Sequence, residues 1–333
     1  MAKMRNSMTL SDIDNIDLLG TVAKEFRQAF QDLEQKADRE LSGRSFIFSR
    51  YGKELYPYFE ETNATTVPGC IIPVKEGRPV ASVDSTCVLV GESANGALYA
   101  ARTAVGISFL GSLRKFVRLG PILVYANPSG IDGLGTGLSS PELSMLLSDH
   151  KVAERMIRNI IERRVVGSLL TSGEKLLVLS DGSLKHPFGQ FAGEGLPKRG
   201  IGSSLIGFSK SSNLLFSEGV VSALTRAEGP VFQRLDEGVV STVLAKFSSD
   251  GLVFRLDLVT DEETVESILG RLLWNDSYSA GYPESLKLAH HLSVFSKAED
   301  QALKAFVTKR FKLKRLPTFN LRTVALGSFR GGA

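Results

Sequence analysis

The stretch that most constrains the fold of this chain is residues 176–184, LLVLSDGSL, in which a run of strand-forming residues leads directly into Asp181, Gly182 and Ser183. A continuous apolar run of this kind indicates a strand that is buried on both faces at the centre of a sheet. The chain therefore presents a carboxylate where a central strand stops and the backbone turns. We expect Asp181 to lie at an edge of the sheet, facing solvent.

A second acidic motif precedes the first by about a hundred residues, at residues 79–86 (PVASVDST), where Val80 and Val83 lead into Asp84. If the two strands are neighbours, the carboxylates of Asp84 and Asp181 converge. Two carboxylates at close range repel each other, so the simplest use for the pair is to hold Mg²⁺ or Mn²⁺. Each aspartate could instead cap a turn, as Asp before Gly or Ser often does. The presence of both motifs favours the metal site.

The composition predicts a folded globular protein. The chain has 333 residues, of which 43% are hydrophobic, and this is ample for a core. The net charge of +4 and the pI near 9.0 permit a nucleic-acid partner without requiring one.

The only cysteines, Cys70 and Cys87, can form neither a metal quartet nor a disulfide framework, which suits a reducing cytoplasm. No signal peptide or membrane span is evident, so we expect a soluble, cytoplasmic protein with no membrane partner.

The order of the predicted elements gives the fold class. After the Asp84 motif these elements are strands over residues 87–90, 97–109 and 116–127, a helix over residues 140–170 and the Asp181 strand. The Asn95-Gly96 dipeptide predicts a hairpin, so the first strands should form an antiparallel meander. An acidic strand, two strands, an acidic helix and a second acidic strand follow the order of the ribonuclease H-like fold, an α/β fold with a mixed sheet flanked by helices.

The rest of the chain elaborates this core. Further predictions are an N-terminal amphipathic helix over residues 11–41, a flexible glycine-rich loop at 128–140, strands at 205–208, 239–247 and 252–259, a helix at 261–274, a C-terminal helical region from 281 to about 311, and a final strand at 321–329. No internal repeat or low-complexity linker divides the chain. We therefore expect one domain over residues 1–333, with a core at about 79–300.

Five segments in order make the chain resemble the NurA nuclease family, the archaeal and bacterial enzymes that process DNA ends together with a HerA-type translocase. They are the Asp84 motif, the helix with Glu162, residues 181–184, residues 207–212 with Lys210, and Tyr282-Pro283 followed by Ala289-His290. The chain departs from the family at Asp84-Ser85-Thr86, where the family usually has Asp-Gly-Ser. The missing glycine puts the local turn in doubt but leaves the carboxylate in place.

The resemblance implies a functional set of Asp84, Glu162, Asp181, Tyr282 and His290. Asp84, Asp181, Glu162 and His290 would be ligands of Mn²⁺, with Mg²⁺ as the alternative, because an imidazole ligand suits Mn²⁺ better than an all-oxygen site does. Lys210, Lys198 and Arg199 would contact DNA phosphates. The implied activity is that of a metal-dependent nuclease with 5′-3′ exonuclease and single-strand endonuclease action in DNA end resection. The implied partners are single- and double-stranded DNA, a second copy of the chain and a HerA hexamer.

The residues themselves leave alternatives open for several of these roles. Glu154 lies on the same predicted helix as Glu162, and His291 is adjacent to His290 but points in another direction on a helix. Tyr282 could pack in a turn before Pro283, and Lys210 could be a solvated surface lysine. His186, which follows Asp181 closely, is best interpreted as incidental to a loop.

Two other functions are also compatible with the pattern. One is a DNA-binding or regulatory partner of a translocase that has kept the fold and lost catalysis, as the altered first motif would allow. The other is a ribonuclease H-like phosphotransferase such as a sugar or acetate kinase. The second would need glycine-rich phosphate loops after both acidic strands, and no convincing one follows Asp84.

Overall fold

The structure is a computed structural model that describes residues 68–93, 96–133, 138–172, 174–185, 202–210, 218–259 and 263–311. Four of the predicted features lie outside the described residues: the helix at 11–41, the loop with His186, the basic pair Lys198-Arg199, and the final strand at 321–329.

The described residues form twelve strands and six helices. The strands are β1 (Gly69–Cys70), β2 (Val80–Ser93), β3 (Gly96–Phe109), β4 (Ser112–Asn127), β5 (Gly130–Asp132), β6 (Leu177–Asp181), β7 (Ser204–Ser209), β8 (Val231–Asp236), β9 (Ser241–Lys246), β10 (Phe254–Val259), β11 (Tyr278–Ser279) and β12 (Tyr282–Pro283). The helices are α1 (Ser140–Ser148), α2 (His150–Leu170), α3 (Glu218–Arg226), α4 (Val265–Asn275), α5 (Glu284–Ser293) and α6 (Lys297–Phe311).

Ten of the strands form one sheet, in the order β1-β8-β9-β10-β7-β6-β2-β3-β4-β5, and β11 pairs with β12. Strand β6 runs parallel to both of its neighbours, β2 and β7. The other pairings in the sheet are antiparallel, including the predicted hairpin of β2 and β3. The predicted fold class, a ribonuclease H-like mixed sheet flanked by helices, is confirmed.

Strand β6 lies in the interior of this sheet, as its apolar run predicts, and Leu177, Val178 and Leu179 are each fully buried at 0% exposure. Side chains alternate between the two faces of a strand. Leu179 therefore packs with Leu286 of α5 on one face, which we call the α5 face. Val178 packs with Leu170 of α2 on the opposite face, which we call the α2 face.

Three element boundaries differ from the sequence prediction. Strand β2 does not stop at Asp84 but continues to Ser93, so the predicted strand at 87–90 is part of it. The helix predicted at 140–170 is two helices, because Asp149 is extended (φ −150°) and caps α2 by accepting hydrogen bonds from the backbone N–H of Lys151 and Val152. The C-terminal helical region is likewise divided into α5 and α6.

No helix in the described ranges combines the length and the apolar character needed to cross a bilayer.

Candidate metal centre

Asp84 lies in the middle of β2, where its backbone pairs with Ala104 of β3. Its side chain belongs to the α5 face and is only 4% exposed. The carboxylate Oδ2 accepts hydrogen bonds from Nδ1 of His290 at 2.9 Å and from the hydroxyl of Ser293 at 2.8 Å. Both donors come from α5, so this helix and the sheet together hold the carboxylate.

Asp181 is the last residue of β6, and the parallel pairing of Val83 with Ser180 brings it beside Asp84. Its Oδ2 accepts a hydrogen bond from the ammonium group of Lys210, which follows β7, at 2.9 Å. The same ammonium group lies 5.3 Å from the centre of the Tyr282 ring. The parallel pairing of β6 with β2 and β7 thus brings two carboxylates and a lysine together.

Three polar side chains fix α5 on the sheet. Asp276, which follows α4, accepts hydrogen bonds from the backbone N–H and the hydroxyl of Ser285 in the first turn of α5. The Ser285 hydroxyl also contacts the Ser82 hydroxyl of β2 at 2.5 Å. Burial raises the pKa of Asp276 to about 6, although Ser285 and the backbone of Ser277 favour its charged form. Because Ser82 precedes Asp84 on the same face of β2, this chain of contacts places His290 opposite Asp84.

The result is a compact group of potential metal ligands. One ligand atom from each of Asp84, Asp181 and His290 lies within 4.8 Å of the other two. The hydrogen bonds that the described residues donate to the two carboxylates all reach Oδ2. Two carboxylate oxygens and an imidazole are a donor set that fits a divalent cation.

The protonation of Asp84 and His290 is coupled. Burial by itself would raise the pKa of Asp84, but hydrogen bonds from His290 and Ser293 and the positive charges of His290 and Lys210 outweigh it, and the pKa is lowered. The hydrogen bond to Asp84 raises the pKa of His290 against the opposing effects of burial and of Lys210. Without a cation, a carboxylate and a protonated imidazole thus stabilise each other.

The surroundings of Asp181 shift its pKa upward, in contrast to the lowered pKa of Asp84. Burial raises its pKa most, and the negative charge of Asp84 adds to this, while Lys210 lowers it without cancelling the rise. Burial and the neighbouring carboxylate thus make ionisation of Asp181 less favourable than in water, and perturbed carboxyl groups of this kind are common at functional sites.

Glu162 lies on the α2 face of the sheet, opposite to the α5 face that carries Asp84. It is 8% exposed on α2, and its Oε1 accepts a hydrogen bond at 2.6 Å from the hydroxyl of Ser180, whose side chain alternates with that of Asp181. Burial and then the negative charge of Asp84 raise the pKa of Glu162 to about 8, with a further contribution from Asp181. Glu162 is not in the group of three ligands, but it shares their electrostatic field.

Tyr282 borders the group from β12. Its ring packs edge-on against Phe208 of β7 at 5.3 Å between centroids. Its hydroxyl is buried, and no hydrogen-bond partner for it lies among the described residues. Burial, the charges of Asp181 and Asp84, and the closeness of the hydroxyl to the Asp181 carboxylate raise its pKa, so the hydroxyl stays protonated. An unpaired O–H donor beside an acidic group can bind an anionic ligand.

The two alternative residues, Glu154 and His291, lie in surroundings different from those of Glu162 and His290. Glu154 accepts a hydrogen bond from the backbone N–H of Leu89 and pairs with Lys151, away from the two aspartates. His291 is exposed, whereas His290 contacts Asp84. The sequence analysis missed Ser293, although its position three residues after His290 on a helix would have placed it on the same face.

The altered first motif has a simple explanation. Gly182 adopts a left-handed conformation (φ 111°) because the chain turns after Asp181. Ser85 needs no such conformation, because β2 continues through it and its hydroxyl contacts that of Thr103 at 2.6 Å. The doubt about the turn after Asp84 is thus resolved, since this position is not a turn. A kinase of this fold would require a phosphate-binding loop after Asp84, and the continuous strand leaves no room for one.

Neither a protein-family model nor a curated protein sequence matches the chain. Among solved structures, the NurA nuclease from Sulfolobus solfataricus is similar with 14% identity and a TM-score of 0.50, covering 75% of this chain and 89% of that one. A structure of NurA bound to dAMP and manganese has 10% identity, a TM-score of 0.43 and coverage of 88% and 97%. Endonuclease V from Bacillus subtilis has 13% identity, a TM-score of 0.32 and coverage of 75% and 88%. The first of these confirms the resemblance to NurA at the level of the fold.

Proposed function

We propose that this protein is a divalent-metal-dependent nuclease that hydrolyses phosphodiester bonds of DNA. The observation that carries the proposal is the group formed by Asp84, Asp181 and His290, whose ligand atoms lie within 4.8 Å of one another. Support comes from the NurA-like fold in which the group lies and from the lysine and the unpaired tyrosine hydroxyl that border it.

Asp84, Asp181 and His290 would hold the cation. Glu162, whose carboxyl group has a pKa of about 8 without a cation, would ionise when a cation binds and add a negative charge on the other face of the sheet. A bound cation supplies an activated water and neutralises charge on the phosphoryl oxygens. The imidazole in the donor set makes Mn²⁺ the preferred ion, with Mg²⁺ as the alternative. His290 would hold the cation through an unprotonated nitrogen, because a protonated nitrogen cannot bind a metal.

Lys210 and Tyr282 would bind the substrate. The Lys210 ammonium neutralises Asp181 at 2.9 Å, and once Asp181 is engaged by a cation the lysine can contact a DNA phosphate as a point charge. The Tyr282 hydroxyl, which no described residue satisfies, would donate a hydrogen bond to an oxygen of the scissile phosphate. Both side chains lie on the side of Asp181 that faces the end of β7, so the phosphate would be bound there.

The experiment is degradation of labelled duplex and single-stranded DNA by the full chain in Mn²⁺, Mg²⁺ or chelator. Wild-type protein should degrade DNA with Mn²⁺ and lose this activity in chelator. Asp84→Asn and Asp181→Asn should abolish it, and Asp132→Asn, an exposed carboxylate on β5 outside the site, should not. Undiminished activity in either site variant, with the same fold by circular dichroism, would refute the proposal.

The finer activity that we propose is 5′-3′ exonuclease and single-strand endonuclease action in DNA end resection, in the cytoplasm, by a homodimer that works with a HerA-type hexamer. The family resemblance supports these points.

Duplexes labelled at the 5′ or the 3′ end test the polarity, since a 5′-3′ enzyme releases the 5′ label first as mononucleotide. Light scattering tests the dimer, and addition of a HerA hexamer should accelerate resection of long duplexes. A 3′ label lost first, or a monomer that is fully active, would contradict the respective point.

A further inference from the structure

A second buried carboxylate, Asp257 of β10, faces the turn that follows Asp181. Asp257 is 0% exposed. Its Oδ2 accepts hydrogen bonds from the Ser183 hydroxyl at 2.5 Å and from the backbone N–H of Leu184 at 2.9 Å. Its Oδ1 accepts from the Thr242 hydroxyl at 3.1 Å and from Nε of Arg255 at 2.9 Å. Nη2 of Arg255 also donates to Oδ2 at 3.3 Å, so Oδ1 binds the sheet and Oδ2 binds both the turn and Arg255.

The path of the turn shows that this contact is built into the sheet. Strand β7 lies between β6 and β10, and Gly207 pairs with Ser180 on one side and with Asp257 on the other. A Cβ at position 207 would lie 2.6 Å from the carbonyl oxygen of Gly182 and 2.7 Å from Cγ of Leu184. The turn therefore crosses directly over Gly207 to reach Asp257, and only glycine leaves room for it.

We propose that Asp257 is a positioning residue for the metal centre, which holds residues 182–184 so that the Asp181 carboxylate points toward Asp84 and His290. The proposal rests on the proposed function. Asp181 is the last residue of its strand, so the direction of its side chain depends on how the following residues are held. The two bonds from Ser183 and Leu184 to one carboxylate oxygen supply that restraint.

The neighbours of Asp257 favour a geometric role over one in stability alone. Arg255 pairs with Asp257 inside the protein and is itself 8% exposed. Replacing a buried ion pair by apolar residues is often neutral for stability, because desolvation of both charges offsets their attraction. An apolar residue at 257 could not bind the hydroxyl and the N–H of the turn, and these are the groups that fix the position of Asp181.

The test uses two matched variants that each remove one hydrogen bond to Asp257. Ser183→Ala removes a bond from the turn, and Thr242→Val removes a bond from the sheet. Because each removes one hydrogen bond to the same carboxylate, the two variants should lose similar amounts of stability. Mn²⁺ binding to the full chain is measured directly by titration calorimetry. Ser183→Ala should weaken Mn²⁺ binding about 10- to 100-fold, as for other residues that orient metal ligands, whereas Thr242→Val should bind Mn²⁺ as wild type does.

Two further measurements complete the test. Hydrogen exchange at the amide of Leu184 should accelerate in Ser183→Ala and not in Thr242→Val, and Ser183→Thr, which keeps the hydroxyl, should restore both protection and Mn²⁺ affinity. Asp257→Leu, which can accept neither hydrogen bond from the turn, should weaken Mn²⁺ binding at least as much as Ser183→Ala if it folds, and if it does not fold the Ser183 variants decide. DNA binding in chelator should be unchanged by Ser183→Ala.

The possible failures are distinguishable. If wild type binds Mn²⁺ and Ser183→Ala binds it equally well, the positioning role is overturned and the proposed function stands. Equal weakening of Mn²⁺ binding by Ser183→Ala and Thr242→Val would also overturn it, since this would be a general effect of lost stability. If wild type binds no Mn²⁺, the metal centre of the proposed function is refuted and the positioning role with it.

Discussion

The protonation of Glu162 gives a quantitative prediction. Burial and the charge of Asp84 raise its pKa from the ordinary value of 4.5 to about 8. Between these two values an unfolded chain has already lost the proton that the folded chain retains, so the folded state loses stability as the pH rises through this range. Each pKa unit corresponds to about 1.4 kcal/mol, so Glu162 should cost metal-free protein about 3 kcal/mol of stability between pH 5 and pH 8.

The substitution that isolates this effect is Glu162→Gln, which keeps the size of the side chain and can still accept the hydrogen bond from Ser180. In chelator, the free energy of unfolding of the variant relative to wild type should increase by about 3 kcal/mol between pH 5 and pH 8. Chemical denaturation at the two pH values measures it. Glu154→Gln, on the same helix but away from the aspartates, controls for loss of a helical carboxylate.

A bound cation should lower the raised pKa of Glu162. A positive charge beside Asp84 and Asp181 lowers the pKa of Glu162, so Mn²⁺ binding near pH 7 should release a proton that Glu162→Gln does not release. Calorimetry in buffers of different ionisation enthalpy counts the proton. If the stability difference between wild type and Glu162→Gln is the same at pH 5 and pH 8, burial and the nearby carboxylates do not raise the pKa of Glu162, and the prediction is wrong.

Three other predictions follow from the same geometry. His290→Gln should destabilise metal-free protein more at pH 6 than at pH 9 in thermal melts, because the raised pKa of His290 means that its contribution is present at low pH and is lost as the pH rises through that pKa; an equal effect at both values would contradict the pairing with Asp84. Tyr282→Phe should leave stability within about 1 kcal/mol of wild type, since the hydroxyl is unpaired among the described residues, but should slow DNA cleavage; unchanged cleavage would remove its role. Glu299→Gln should lower the free energy of unfolding by roughly 2 kcal/mol in chemical denaturation, because it removes the counter-charge of Arg102, which is 3% exposed. If the free energy of unfolding is unchanged within error, water replaces the lost ion pair and the prediction is wrong.

The sequence predicts the centre of the fold because the signals there are local. The apolar run before Asp181 indicates an interior strand, and Asn95-Gly96 indicates the hairpin of β2 and β3. The break at Asp149 also had a local signal, an aspartate able to cap a helix, but the apolar pattern continues across it and outweighs that signal. Strand β8 and helix α3 were missed, and their apolar side chains are buried by contact with each other and with β9.

The site was predictable only in part, for a related reason. The convergence of Asp84 and Asp181 follows from two local motifs and one assumption, that their strands are neighbours. His290 lies 206 residues from Asp84 in the sequence, and no local pattern connects them, so the family resemblance and not the physics of the sequence selected it. Asp257 lies within a strand, FRLDLV, in which every residue is buried, and nothing in the sequence shows that the turn after Asp181 reaches it.

The division of the site between the sheet and α5 ties cation binding to the attachment of a helix. Asp84 and Asp181 remain on the sheet whether or not α5 is in place, but without α5 they lose the imidazole of His290 and the hydroxyl of Ser293. Any ion that prefers the complete ligand set must therefore also favour the docked helix, by about 1.4 kcal/mol for every tenfold excess of the ion over its dissociation constant. Helix α5 would then respond to the supply of metal, docking more firmly as the ion becomes abundant and less firmly when it is withdrawn.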